Sequence, residues 1–141
     1  MAPLIVTAAI IYRNGEILIT RRPEGSRHAG WWEFPGGKLH EGESPEEGLQ
    51  REILEELSLP IRVGRIFDVI HHTYDFGSVL LLFYLCQPLA DAVKNIGVAE
   101  HAWVSPSALD QYRLLPADRP LVERLRNTKI NQSGPMNRIN Q

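Results

Sequence analysis

The stretch Gly37-Lys38-Leu39-His40-Glu41-Gly42-Glu43, followed by Ser44-Pro45-Glu46-Glu47-Gly48-Leu49-Gln50 and Arg51-Glu52-Ile53-Leu54-Glu55-Glu56-Leu57-Ser58-Leu59, decides the reading of this chain. Ser44 is a good N-cap, Pro45 suits the first helical position, and Glu47 stands where it can close a capping box with Ser44. Leu49, Ile53 and Leu57 recur every four residues and predict the buried stripe of an amphipathic helix. Pro60 ends that helix, since proline cannot continue it. Glu52, Glu55 and Glu56 are spaced by three and four, which puts them on one helical face. Like charges at that spacing repel unless a cation sits among them. One reading is a solvated acidic face. The other is a seat for a hard divalent cation such as Mg²⁺, which prefers carboxylate oxygens and often bridges to substrate phosphate. Upstream, Phe34-Pro35-Gly36-Gly37 reads as an apolar strand end entering a glycine turn where backbone can approach a ligand closely.

At this spacing the segment resembles the Nudix box, the signature of hydrolases acting on nucleoside-diphosphate-linked compounds. Gly37, Glu43, Arg51, Glu52, Ile53, Glu55, Glu56 and Leu59 match it, and Ser58 replaces its last glycine. That glycine would supply a helix C-cap of positive φ, so the departure bears on local turn geometry. Similarity to the MutT-like branch runs from about Leu4 to Leu125, through Ile19-Thr20-Arg21-Arg22, Trp32-Glu33-Phe34-Pro35-Gly36-Gly37, the Trp103 strand and Leu115-Pro116-Ala117-Asp118-Arg119-Pro120.

The resemblance implies a curved mixed sheet packed between helices, an α/β/α sandwich. It also implies an Mg²⁺-dependent nucleoside triphosphate pyrophosphohydrolase, with Mn²⁺ as a substitute ion. Glu52, Glu55 and Glu56, with a backbone carbonyl near Gly36, would hold the metal. Arg51 would pair with Glu43 and fix the helix against its loop. Arg22, Arg27 and His28, with the turn residues Glu33, Phe34, Pro35 and Gly36, would meet the nucleotide. Asp118 would face the nucleobase, where relatives acting on 8-oxoguanine nucleotides carry Asn and Asp is typical of relatives acting on cytidine nucleotides. Its other reading is the N-cap of the last helix. The family places a further glutamate six residues before the late tryptophan, where this chain has Gly97. Glu100 is the nearest carboxylate, either a shifted general base or a strand-edge charge. Phe34, Leu80, Leu82 and Phe83 are candidate pocket walls, although apolar strand residues are more often core. His71-His72 reads as strand, because adjacent side chains point to opposite faces. Two substrate classes compete, oxidised purine triphosphates such as 8-oxo-dGTP and CTP or modified dCTP. A non-catalytic nucleotide sensor is the alternative of another class, although a sensor has no need of three intact glutamates.

The remaining sequence fits one domain over residues 1–127 and a polar tail over 128–141. With 141 residues and 43% hydrophobic content, the chain can bury a real core. A net charge of −2 gives no footprint for a nucleic-acid polymer, so a small phosphorylated molecule is the expected partner of a monomer or weak dimer. A single cysteine, Cys86, suits a cytoplasmic protein, and neither a membrane span nor a signal peptide is expected.

The order of elements predicts an α+β fold. Leu4–Tyr12 and Glu16–Arg22 are strands joined by the hairpin signal Asn14-Gly15. Pro23–Gly30 is a loop, Trp31–Phe34 a short strand, and Ile61–His72 and Tyr74–Gln87 an antiparallel pair. A loop over Leu89–Val98 leads to the strand His101–Val104. A short helix from Ser105-Pro106 to Leu109 and an amphipathic helix over Leu115–Asn127, with Leu121, Val122 and Leu125 inward, complete the chain.

Overall fold

The structure, a computed structural model, describes residues 2–128; the predicted tail beyond Thr128 lies outside them. Seven strands form one mixed sheet: β1 Leu4–Arg13, β2 Glu16–Arg21, β3 Trp32–Glu33, β4 Gly36–Lys38, β5 Ile61–Tyr74, β6 Gly77–Pro88 and β7 Glu100–Val104. Helix α1 spans Pro45–Leu57 and α2 spans Arg119–Arg126. The expected α+β sandwich is what forms. Alternation along β1 shows the two sides. Ala8, Ile10 and Tyr12 enter one core with Leu121, Val122 and Leu125 of α2, while Ala9 and Ile11 enter the other with Leu49, Ile53 and Leu57 of α1. A strand buried on both faces reads as the continuous apolar run seen there.

β1 is the spine. It pairs in parallel with β6 from Leu4↔Val79 to Ile11↔Cys86. On its other edge the N-terminal half meets β4, from Val6↔Lys38 to Ala8↔Gly36, and the C-terminal end meets β2. The predicted hairpin holds, with Asn14 and Gly15 at φ 54° and 79°, as a two-residue turn of that type requires. Register shifts near Ile66 bend β5 against β6 and give the sheet its curvature.

Three expectations change. Gly36-Gly37 is not a turn but the start of β4. A Cβ on Gly36 would lie 2.0 Å from the Thr7 carbonyl oxygen, and one on Gly37 would lie 2.4 Å from the Glu52 carboxyl carbon. The two glycines are needed for close approach to β1 and to a helix glutamate, not for a bend. The last helix is also shorter than predicted. Pro116–Asp118 is a 3₁₀ turn and α2 begins only at Arg119, because Pro120 lacks an N–H and fits only the first helical turn. The predicted helix after Ser105 is likewise a 3₁₀ turn, Pro106–Gln111.

α1 is built as its sequence specifies. Ser44 Oγ accepts from Glu47 N–H at 3.1 Å, and Glu47 Oε1 accepts from Ser44 N–H at 3.1 Å. At the far end Ser58 adopts φ 51°, ψ 34°, the left-handed conformation normally given to glycine, and donates its N–H to Leu54 O. A residue with a Cβ bears about 1–2 kcal/mol of strain there, partly offset by the lower chain entropy that glycine would lose on folding. Ser58→Gly is therefore expected to stabilise the protein by about 0.5–1 kcal/mol. Chemical denaturation should show a higher midpoint at unchanged slope, and an unchanged or lower midpoint would refute the strain.

Candidate active site

Arg51 organises the acidic helix. Its Nε donates to Glu43 Oε2 at 2.6 Å and its Nη2 to Glu43 Oε1 at 3.0 Å, a two-point clasp between α1 and the loop before it. Glu43 also accepts from His40 N–H at 2.8 Å. The Arg51 hydrogen bond, reinforced by the His40 N–H, holds the Glu43 carboxyl down at about 2. Arg51 Nη1 meets Glu52 at 3.2 Å and Glu55 at 3.2 Å, so one guanidinium offsets the repulsion inherent in the spacing.

The three helix glutamates have different surroundings. Glu52 presses against Gly37 of β4. Glu55 is exposed. Glu56 is half-buried, and burial, followed by the negative charges of Glu52 and Glu33, pushes its carboxyl up to about 8. Carboxylate oxygens crowded in this way are the donor set of a hard divalent cation. The Gly37 cradle, which any Cβ would fill, keeps Glu52 in that set. Among the described residues no three acidic, histidine or cysteine side chains are placed to hold a metal ion together.

A cavity of about 170 Å³ opens beside the N-terminal half of β1, where Leu4, Val6, Thr7 and Ala8 line it. It is lined by Arg22, Arg27, His28, Glu33, Phe34, Gly36 and Asp118, so these sequence candidates converge on one space. Pro35 is buried beside it and its carbonyl accepts from Ala9 N–H at 2.8 Å, tying the gap to β1. Val79 and Leu81 of β6 form its apolar wall. Leu80 and Leu82, named from sequence, have the opposite parity and turn away. Phe83 is fully buried core behind Phe34, with their rings edge-to-face at 6.0 Å.

Asp118 reaches the cavity through a long-range tie. Trp32 N–H donates to Arg113 O at 2.8 Å and Leu115 N–H donates to Trp32 O at 3.0 Å, which docks the segment before α2 along β3. The Asp118 side chain makes no cap for α2. Its Oδ2 accepts from Phe34 N–H at 3.1 Å, and it is buried. Burial, then the Glu33 charge, pushes this carboxyl up to about 8. At neutral pH Asp118 is thus mostly a carboxylic acid, with one oxygen committed to Phe34 and a proton to donate.

Arg22 Nη1 donates to both oxygens of Glu33 at 3.1 and 3.2 Å, and its Nε donates to Arg27 O at 2.5 Å. Burial nevertheless raises the Glu33 carboxyl. Glu100 lies apart from the cavity lining. It is exposed on β7, with Arg21 Nε 2.9 Å from its Oε1. That pair is off the N–H axis and acts as a charge contact. Gly97 packs on Glu56, and the N–H groups of Ile96 and Gly97 both donate to Glu56 O at 3.0 Å, capping α1. His72 is a strand residue whose ring meets Tyr74 edge-on at 4.5 Å, as read from sequence. Sequence reasoning missed Tyr74 and Phe76 at the cavity mouth. The aromatic pair at the β5–β6 hairpin, Tyr74 before the two-residue turn and Phe76 within it, was the available signal.

The comparisons agree with this geometry. A NUDIX domain model matches residues 6–124. A CTP pyrophosphohydrolase of Escherichia coli (strain K12) is 40% identical over 126 residues, covering 87% of this chain and 91% of that one. An 8-oxo-dGTP diphosphatase of Haemophilus influenzae is 35% identical over 130 residues, covering 91% and 96%. Among solved structures, a MutT protein from Methanosarcina mazei superposes with a TM-score of 0.79 at 32% identity, covering 90% of this chain and 97% of that one. The E. coli ORF135 protein superposes with a TM-score of 0.76 at 33% identity, covering 96% and 95%. No helix among the described residues is long and apolar enough to cross a membrane. A matched domain that takes in the sheet, the capped acidic helix and its Glu43–Arg51 clasp makes this chain a member of the Nudix family.

Proposed function

We propose that this protein is a divalent-metal-dependent nucleoside triphosphate pyrophosphohydrolase, releasing a nucleoside monophosphate and diphosphate from an oxidised or modified nucleotide. The observation that carries this reading is the adjacency of two sites. A crowded carboxylate face on α1 meets, across Gly36-Gly37 and Glu33, a cavity of about 170 Å³ with an acid at its floor. Glu52, Glu55 and Glu56, with the Gly36 carbonyl, would hold Mg²⁺. The ion would neutralise polyphosphate charge and polarise a phosphoryl oxygen. Arg51 keeps α1 registered on its loop, and Arg22 stands between the carboxylate face and the cavity, where a phosphate can compete with Glu33 for it. Arg27, His28, Phe34 and Pro35 shape the nucleotide's path. Three intact glutamates on α1 speak for turnover rather than for a sensor.

Asp118 discriminates between the two substrate classes. A protonated carboxyl donates to a carbonyl oxygen, such as that of an oxidised guanine, and the raised Asp118 favours this reading. The second reading, CTP or a modified dCTP, is favoured by the 40% identity to a CTP pyrophosphohydrolase. It requires ionised Asp118 to accept from the exocyclic amine. Release of diphosphate from a panel of normal and oxidised nucleoside triphosphates, with and without Mg²⁺, tests the proposal. Binding without turnover of any of them would make the protein a sensor.

Three substitutions probe the assignments. Glu56→Gln keeps side-chain volume but removes a metal charge, and should lower kcat by about 100-fold or more at saturating Mg²⁺ with the fold intact. Near-normal turnover would remove Glu56 from the metal set. Glu100→Gln should change kcat less than about threefold, since Glu100 is occupied with Arg21. A loss of about 100-fold, the scale of a general base, would instead assign water activation to Glu100.

Asp118→Asn keeps a donor beside the Phe34 contact but cannot become an anion. The ratio of kcat/KM for 8-oxo-dGTP over CTP should therefore rise by about tenfold or more, the value of one buried hydrogen bond. Equal losses for both substrates would place base reading elsewhere. Stability gives an independent check. Between the unfolded pKa near 3.8 and the folded value of about 8, native Asp118 holds a proton that the unfolded chain has released. Its stabilising contribution is thus complete below the unfolded value and is lost as pH rises toward 8. The stability of the Asp118→Asn variant relative to wild type should increase from pH 5 to pH 8 in urea titrations; a constant difference would contradict the buried acid.

A further inference from the structure

Two chain segments, the Pro23–Gly30 loop and the hairpin between β5 and β6, meet at the rim of the cavity. The turn between β5 and β6 has only two residues, Asp75 and Phe76, because Tyr74 pairs with Gly77. Phe76 stands 51% exposed at its tip. Its ring stacks on Tyr74, with centroids 5.2 Å apart and planes 8° from parallel. The Arg27 guanidinium, from the Pro23–Gly30 loop, lies 4.6 Å from the Phe76 ring centre. His28 follows at φ 57°, a conformation a histidine adopts at some cost, and its ring is 6.3 Å from Tyr74. His72 buttresses Tyr74 from behind at 4.5 Å. Loop and hairpin are thus latched through Arg27–Phe76–Tyr74–His28.

Those four side chains line the inner cavity of about 170 Å³ and also an open outer groove of about 570 Å³ that includes Thr73 and Asp75. They are the wall between the two spaces. We propose that this latch sets the size limit for the nucleobase. Closed, it restricts the inner cavity to a base without an extended substituent. With the Phe76 ring removed, cavity and groove merge and take a base that carries a flat apolar extension on the edge away from Asp118. The inference rests on the nucleotide-hydrolase reading of the same cavity and names Phe76 as a specificity-determining residue. A cation held over an aromatic face by a partly solvated contact is a weak tie. Such a latch is weak enough to open and strong enough to bias entry.

The test compares dCTP and 7-deaza-dGTP with their phenylethynyl derivatives, substituted at C5 and C7, on wild type, Phe76→Ala and Phe76→Trp. Affinities of non-hydrolysable α,β-methylene forms are measured beside kcat/KM. Phe76 is half-exposed at a hairpin tip, and thermal melts confirm that each variant is folded. Wild type and Phe76→Trp should prefer the parent of the better-bound pair over its derivative by about tenfold or more, and Phe76→Ala should lose most of that preference in both binding and turnover. If wild type binds derivative and parent equally, or if Phe76→Ala discriminates as wild type does, the wall is not the limit. If wild type binds neither parent yet turns over a nucleotide of the panel above, the latch does not set the base limit; if it turns over none, the nucleotide-hydrolase reading itself fails.

Discussion

Everything at the candidate site depends on Arg51. Three glutamates within five residues on one helix face would oppose helix formation by mutual repulsion. The guanidinium relieves this by lying among them, within 3.2 Å of Glu52 and Glu55. Its remaining N–H groups make the two-point clasp on Glu43, which ties the loop before α1 to the middle of the helix. A lysine could supply the charge but not the planar fork that joins these groups in fixed geometry. The acidic face is therefore held ready without requiring every glutamate to be neutral.

The second constraint is the divided edge of β1. One strand has two partners in succession on the same side, β4 and then β2, and the chain between them must leave the sheet. That gap runs from Glu33 to Gly36, and both of these residues line the cavity on the α2 side. Glycine is required at 36 because the backbone of β1 approaches to a distance that no Cβ permits, whereas a Cβ at 37 would displace the Glu52 carboxylate. Sheet geometry thus places a base-sized cavity next to an acidic helix although their residues come from opposite faces.

Much of this was legible from sequence where the interactions are local. The capping box of α1, its buried stripe, the Asn14-Gly15 turn and the pairing of Arg51 with Glu43 are all specified within about ten residues, and all are present. What failed to read was long-range. Gly36-Gly37 looks like a turn until β1 is known to pair with it. Leu80 and Leu82 look as suitable for the pocket as Val79 and Leu81. Only the parallel register with β1 decides which parity faces it. The helix predicted from Leu115 loses its first turn to proline chemistry, which the pattern of apolar residues does not reveal.

Asp118 is the clearest case of chemistry that belongs to the fold rather than to the residue. In sequence it stands at the start of the last helix, where its position reads as a cap and the family resemblance as a contact to the nucleobase. In the structure its oxygen is taken by an N–H 84 positions away, because the strand Trp32–Glu33 docks the Arg113–Leu115 segment beside Phe34. That single hydrogen bond favours the anion, and so does the more distant charge of Arg22. Both are outweighed by burial and by Glu33, which already holds Arg22 at 3.1 Å. A buried carboxyl with one neutral donor and an anionic neighbour retains its proton, since an uncompensated charge there costs more than the proton. Burial consequently biases the cavity floor toward a donor, from a residue type that normally only accepts.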